Sequence, residues 1–126
     1  MKVSIVIVNY NTSGDLDRCL ESIGHSPPNC QYAVTVVDNA SSEPEINRVV
    51  AKFPDVNWIM SEENNGFAKG SNIGINSLLA EWYLILNPDI VIQPGAFDRL
   101  LAYADNTPKA GLIGPQLLND DGSIQE

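Results

Sequence analysis

Residues Val3 to Val8 form an apolar run, β-branched at every position but Ser4, that stops at the turn-rich cluster Asn9-Tyr10-Asn11-Thr12. Such a run has no polar face, so it reads as a strand covered on both sides, as in the centre of a parallel sheet. The need for two covering layers constrains everything that follows. From Asp15 the spacing changes: Leu16, Cys19, Leu20 and Ile23 fall at i, i+3, i+4 and i+7, one face of a helix. Thr12 or Ser13 is its expected N-cap, and Gly24 with Pro27-Pro28 ends it.

The alternation then repeats. Tyr32 to Val37 is a second β-branched run, and Ser42 with Glu45 has the S-x-x-E spacing of a capping box, predicting a helix with Ile46, Val49, Val50 and Phe53 inward. Val56 to Met60 reads as a short strand, Gly66 to Leu79 as a helix and Trp82 to Leu86 as a fourth strand. Pro94 is the expected start of a helix that turns Phe97, Leu100, Leu101 and Ala104 inward. Strands alternating with helices in this way predict βαβ units, hence an α/β fold with a Rossmann-like, mostly parallel sheet and helices on both faces. Gly111 to Leu118 departs from the alternation and reads as a strand broken at Gly114-Pro115, with a hairpin turn at Asp121-Gly122. No repeat or low-complexity tract interrupts the chain, so residues 1–126 are expected to form one unit.

At 44% hydrophobic and 18% charged, 126 residues suffice for a core without metal or disulfide staples. Cys19 and Cys30 match no zinc or redox spacing and read as buried, reduced thiols. The apolar run after Lys2 is too short for a signal-peptide core or a membrane span, which makes the cytoplasm the expected location. A net charge of −9 repels nucleic acid and anionic lipid. An anionic ligand would therefore be held locally, by backbone N–H groups, a helix N-terminus, a placed cation or a metal.

Ligands of an open parallel sheet lie beyond the carboxyl ends of its strands. Four polar clusters occupy those places: Asn9-Tyr10-Asn11, Asp38-Asn39, Asn64-Asn65-Gly66 and Asn87-Pro88-Asp89. Each alone is ordinary turn chemistry, but all converge on one edge. The Asp38 carboxylate suits a ribose hydroxyl or the N–H edge of a pyrimidine, and equally suits an Asx turn. Tyr10 offers a ring for stacking. Gly66, Gly70 and Gly74 recur every four residues and form one stripe for close approach to the sheet or a ligand, with Lys69 beside them as a candidate phosphate ligand. The spacing is not G-x-G-x-x-G and no Walker loop occurs, which argues against dinucleotide oxidoreductases and P-loop NTPases. Asp89, just past a buried strand, suits a hard divalent ion that also takes two phosphate oxygens, and such a bridge would let an acidic protein hold a pyrophosphate.

The segments VSIVIVNYNTSGDLDRCLESI, VVDNASS, NNGFAKGSNIGI, LILNPDI and GLIGPQLLNDDGSIQ, in that order, resemble the family 2 glycosyltransferases, in particular rhamnosyltransferase-like members that use nucleotide-diphosphate sugars. The resemblance touches nearly the full length. It implies a GT-A fold, a divalent metal (Mg²⁺ or Mn²⁺), and inverting transfer of a sugar from a dTDP- or UDP-sugar to a hydroxyl of a glycan or lipid-linked acceptor, with work at the inner face of the membrane. By position it assigns the backbone around Val8 and Tyr10 to the base and ribose, and Asp38 to the base. Asn65, Gly66, Lys69 and Asn87 complete the expected donor-binding residues, and Asp89 becomes the metal ligand.

The sequence departs from that pattern twice. Asn87 replaces the first acid of the family's D-x-D motif, so the site has one carboxylate fewer and is expected to rely on the nucleotide for metal affinity. The family also continues into an acceptor-binding part that carries the catalytic base, and no residue here takes that place; Asp120, Asp121 and Glu126 read as turn and tail. The chain is thus expected to be the nucleotide-binding half of a transferase, truncated before the acceptor part. The alternative is a binding or assembly module that holds donor without transferring sugar. A phosphoacceptor receiver domain is disfavoured, because Asn9-Tyr10-Asn11 stands where it needs an acidic pair and Ser61-Glu62-Glu63 where it needs the phosphoacceptor. A nucleotidyltransferase would need a Gly-rich basic loop after the first strand. An exposed sheet edge predicts a tendency to self-associate.

Overall fold

The computed structural model describes residues 1–126, in which four strands alternate with four helices. The order is β1 (Val3–Asn9), α1 (Ser13–His25), β2 (Tyr32–Asp38), α2 (Glu45–Lys52), β3 (Asn57–Met60), α3 (Gly66–Ser77), β4 (Trp82–Leu86) and α4 (Ala96–Asp105). The strands form one sheet in the order β3-β2-β1-β4, and every pairing is parallel. β1 is buried along its whole length, as its unbroken apolar run requires.

The pleat of β1 feeds two layers. Val3, Ile5 and Ile7 pack with Leu16, Cys19, Leu20 and Ile23 of α1, Ile46 and Val49 of α2, and Phe97 of α4. Val6 and Val8 point the other way, onto α3. The chain steps from β1 to β2 to β3 under α1 and α2, then returns over the opposite face through α3 to lay β4 beside β1. One handedness of crossover produces this arrangement. The glycine stripe sets the depth of α3: a Cβ on Gly70 would lie 2.9 Å from Val8 Cγ1, and one on Gly74 would overlap Val6 Cγ1.

The two ends of the sheet differ. At the amino end, the Met1 carbonyl accepts the Glu81 N–H, and the Lys2 ammonium pairs with Glu81 (3.1 Å) and Asp105 (2.6 Å). Those two hydrogen-bonded carboxylates, Asp105 above all, raise the Lys2 pKa. At the carboxyl end lie all four polar clusters. Beside this axis, the outer edge of β4 is unpaired. The Trp82 N–H turns inward to the Lys2 carbonyl, so alternation turns the Tyr83 and Ile85 amides outward. A small apolar cavity of about 80 Å³, lined by Trp82, Leu84, Leu101 and Leu112 among others, runs between β4 and α4.

Several expected boundaries move. The capping box does not form: Ser42 gives its N–H and hydroxyl to Asn11 Oδ1 (2.8 and 3.3 Å), and Pro44, already at helical φ and ψ, takes the N-cap place without a side-chain bond. α1 keeps its expected N-cap position, Thr12, but the Thr12 hydroxyl bonds Asn9 rather than the helix. α4 opens after Gly95, whose left-handed φ of +74 breaks helical continuity, so Pro94 lies outside the helix. α3 ends at Ser77 and not Leu79, because the Tyr83 hydroxyl donates to the Leu78 carbonyl and accepts the Ala80 N–H, drawing the chain out of the helix.

No strand forms over Gly111 to Leu118, where Pro115 has no N–H to offer a ladder. The Asp121-Gly122 turn does form, with Gly122 at φ +84 and a single Leu118–Ile124 antiparallel bridge. Both cysteines are free, Cys19 buried and Cys30 only half-buried.

Candidate functional site

Asn9 and Asp38 end β1 and β2 as register partners, so their side chains share the α1 face of the sheet. Asn9 Nδ2 donates to Asp38 Oδ1 (2.9 Å), while Ser41 gives its hydroxyl to Oδ1 (2.7 Å) and its N–H to Oδ2 (2.9 Å). Asp38 is 1% exposed. The structure thus gives this carboxylate an anchoring place inside the protein, with its oxygens committed to protein donors. Around it, Asn11 (φ +51) donates its N–H to Ser41 Oγ (2.9 Å), and Asn9 Oδ1 accepts the Thr12 hydroxyl (2.7 Å). Glu43 Oε2 accepts the Ser13 N–H (3.1 Å) at the first turn of α1. The β1–α1 and β2–α2 loops are therefore laced together, and Tyr10 stands half-exposed above the lacing.

One step along the pleat, Asn39 turns to the opposite face, beneath α3. It is 1% exposed, and its Nδ2 donates to the Gly66 carbonyl (3.1 Å). A carbonyl can only accept, so that bond fixes the amide's orientation. Asn39 Oδ1 is left buried with no partner. Gly66 takes φ +75, and its N–H bonds Asn64 Oδ1 (2.9 Å); Asn65, at the N-cap, sends its amide back to the Glu63 carbonyl (3.2 Å) instead of capping the helix. Val8 is buried against Gly70, so only its main chain faces the rim. Lys69 is exposed and takes part in none of the ion pairs.

Beyond β4, Leu86 is buried while Asn87 and Asp89 are exposed. The Asn87 carbonyl accepts the Ile90 N–H (3.3 Å) and faces the Cys19 thiol (3.9 Å). Burial, and then the Asp89 charge, push that thiol up to about 12, so it stays protonated and inert. No group of three or more His, Cys, Asp or Glu side chains converges here. Mg²⁺ usually keeps several waters and binds through one or two carboxylates plus substrate phosphates. Asp89 with the Asn87 amide fits a cation shared with a phosphorylated ligand, and does not fit a resident all-protein metal site.

These loops and the strands between them all fall within one match: a family model described as glycosyl transferase family 2 covers residues 4–125. The chain belongs to glycosyl transferase family 2. Curated relatives of this family 2 chain include the N-acetylglucosaminyl-diphospho-decaprenol L-rhamnosyltransferase of Mycobacterium tuberculosis, 28% identical over 95% of the chain and 42% of the relative. Another is the low-salt glycan biosynthesis hexosyltransferase Agl10 of Haloferax volcanii, 32% identical over 95% of the chain and 38% of the relative. The chain thus spans about two fifths of the length of these relatives. Among solved structures, S. aureus TarS 1–349 in complex with UDP-GlcNAc superimposes with a TM-score of 0.74 at 24% identity, covering 92% of this chain and 37% of that one. The fold is therefore that of a GT-A glycosyltransferase.

Asn39 stands in one of the four clusters but is given no role of its own by the sequence, and Ser41 and Glu43 are not singled out by it at all. For Asn39 a signal existed: the period-2 pleat puts residues 38 and 39 on opposite faces, so only one of the pair can join the α1-side anchor. Nothing local marks Glu43, because its partner Ser13 is thirty positions away.

Proposed function

We propose that this family 2 chain carries the nucleotide-sugar donor site of a glycosyltransferase, on the carboxyl rim of the sheet. The observation that carries the reading is the exposed Asn87-Pro88-Asp89 turn, directly beyond β4 and beside β1. In this reading the base and ribose lie against Tyr10 and the main chain of Val8, above the loop that Asp38 anchors. The unpartnered Asn39 Oδ1 accepts a base N–H, such as N3–H of uracil or thymine, which suits a UDP- or dTDP-sugar. Asn65, Gly66 and Lys69 border the diphosphate at the α3 N-terminus, where backbone N–H groups and a cation favour an anion. A Mg²⁺ or Mn²⁺ shared among Asp89, Asn87 and the diphosphate would supply charge neutralisation for the departing nucleoside diphosphate.

Inverting transfer to an acceptor hydroxyl, on a glycan or a lipid-linked carrier, is the activity this donor site would serve. A second reading, donor binding without transfer by these residues alone, is favoured by the C-terminal acids. Asp121 accepts the hydroxyl and N–H of Ser123, which hold its carboxyl below the usual range, making it a turn acceptor and a poor base. No helix is long and apolar enough to cross a membrane; work at the inner face of a membrane belongs to this proposal. Self-association through the open β4 edge belongs to the same proposal.

The test is thermal unfolding with UDP, dTDP and GDP, with and without Mn²⁺, on the wild type and Asp89→Ala. A nucleotide at about 100 times its Kd stabilises by ~2.7 kcal/mol, several degrees for a chain of this size. The expected result is a metal-dependent shift with a uracil or thymine nucleotide, lost in Asp89→Ala. No shift with any nucleotide would sink the proposal.

A further inference from the structure

The N-terminus of the first helix is the default diphosphate cradle of folds that wind strand to helix in this way, because its free N–H groups point at the rim. Here the first of those donors is already taken by a carboxylate. The Glu43 carboxylate, from the β2–α2 loop, accepts the Ser13 N–H (3.1 Å) at the first turn of α1. Ser13 is itself buried, with its hydroxyl unpartnered, so a second donor of the same turn is left over. The neighbouring bonds from Asn11 to Ser41 and from Ser42 to Asn11 hold the two loops in the register that makes this contact.

We infer that Glu43 is a positioning residue that acts as a built-in anion: it occupies the α1 N-terminus, bars phosphate from it, and so directs a diphosphate toward α3 and Asp89. The direction given to the diphosphate rests on the nucleotide-sugar reading above; the blocking of α1 does not. Two effects meet in Glu43. Its negative charge opposes an incoming phosphate at short range, and its bond to Ser13 fixes the loop that carries Tyr10. An uncharged side chain of the same shape keeps the second effect and gives up most of the first. A shorter one gives up both.

The experiment compares the wild type with Glu43→Gln and Glu43→Ala, using two probes. Inorganic pyrophosphate without metal is followed at the Ser13 amide resonance, and UDP with Mn²⁺ by calorimetry, with circular dichroism as the control for folding. In the wild type, pyrophosphate should leave the Ser13 resonance unmoved; in folded Glu43→Ala it should shift it saturably. UDP affinity with Mn²⁺ should fall about tenfold in Glu43→Ala and be largely retained in Glu43→Gln, which keeps an acceptor for Ser13. A Ser13 shift in the wild type, no shift in Glu43→Ala, or equal UDP affinities in the two variants would overturn the inference. If the pyrophosphate result holds and no protein binds UDP, the blocked helix stands and the nucleotide reading falls.

Discussion

Asp38, only 1% exposed and bonded by three donors, ties the β1–α1 and β2–α2 loops together, while its neighbour Asn39 keeps a buried oxygen without a partner. Removing the Asp38 side chain takes the acceptor from the Ser41 N–H and hydroxyl and leaves the Asn9 amide only its longer bond to Ser41 Oγ (3.3 Å), and each unsatisfied donor costs about 1–3 kcal/mol. Asp38→Ala should therefore lose about 3 kcal/mol of stability in urea unfolding. Asn39→Ala forfeits one bond to the Gly66 carbonyl, roughly 1 kcal/mol, while removing the free acceptor. Its expected signature is a smaller loss of stability than that of Asp38→Ala, with nucleotide affinity reduced about tenfold or more. The opposite pattern, with Asp38 variants stable but unable to bind, would return the base contact to Asp38.

Between elements, α1 and α2 are joined on their outer sides by ion pairs. Lys52 reaches Asp17 (2.6 Å) and Glu21 (2.5 Å), and Arg48 reaches Asp17 (3.1 Å). The Lys52 hydrogen bond, ahead of Arg48, holds the Asp17 carboxyl below the usual range. A depressed folded pKa contributes stability above the unfolded value, near 3.9, and loses it as pH falls through the folded one. Acidification from pH 5 to 3 should thus weaken the fold, with Asp17→Asn losing less than the wild type; because the pair lies at the surface, its share is under about 1 kcal/mol. On the other face, Gly74→Ala gains roughly 1 kcal/mol of helix propensity but drives a methyl into Val6, and overpacking of this kind costs about 1–3 kcal/mol. The variant should melt lower than the wild type.

These element-level features were also the most legible in the sequence. β1 could be read because a β-branched run with no polar face has few other fates, and α1 because its apolar positions repeat at helical spacing. The Ser42 capping box misled because a local pattern competes with a distant partner, Asn11, that only the sheet brings near. The strand expected at Gly111 to Leu118 failed although the β4 edge stands open, because Pro115 has no N–H to give a ladder. At the rim, residue types marked four loops that the parallel sheet brings to one end, but which neighbour faces inward was settled by the pleat.

At the scale of the whole molecule, the sheet closes on one side with the short β3 and on the other with β4, whose residues Trp82 to Leu86 carry no charge. Natural edges are usually blunted with Lys, Pro or a bulge, and this one has none of them. Concentration-dependent self-association is therefore expected in sedimentation velocity, and Ile85→Lys, placed where the strand is 38% exposed, should abolish it without changing the unfolding midpoint by more than about 0.5 kcal/mol. A wild type that stays monomeric at high concentration would refute this. The amino end of the sheet invites a different use. Met1 and Lys2 are clasped to Glu81 and Asp105 at the foot of β1, and seven residues of strand place them about 20 Å from the rim. A surface linker or a fluorescent label attached at Met1 would therefore hold the molecule by its base, presenting every candidate ligand-binding loop outward to the solution.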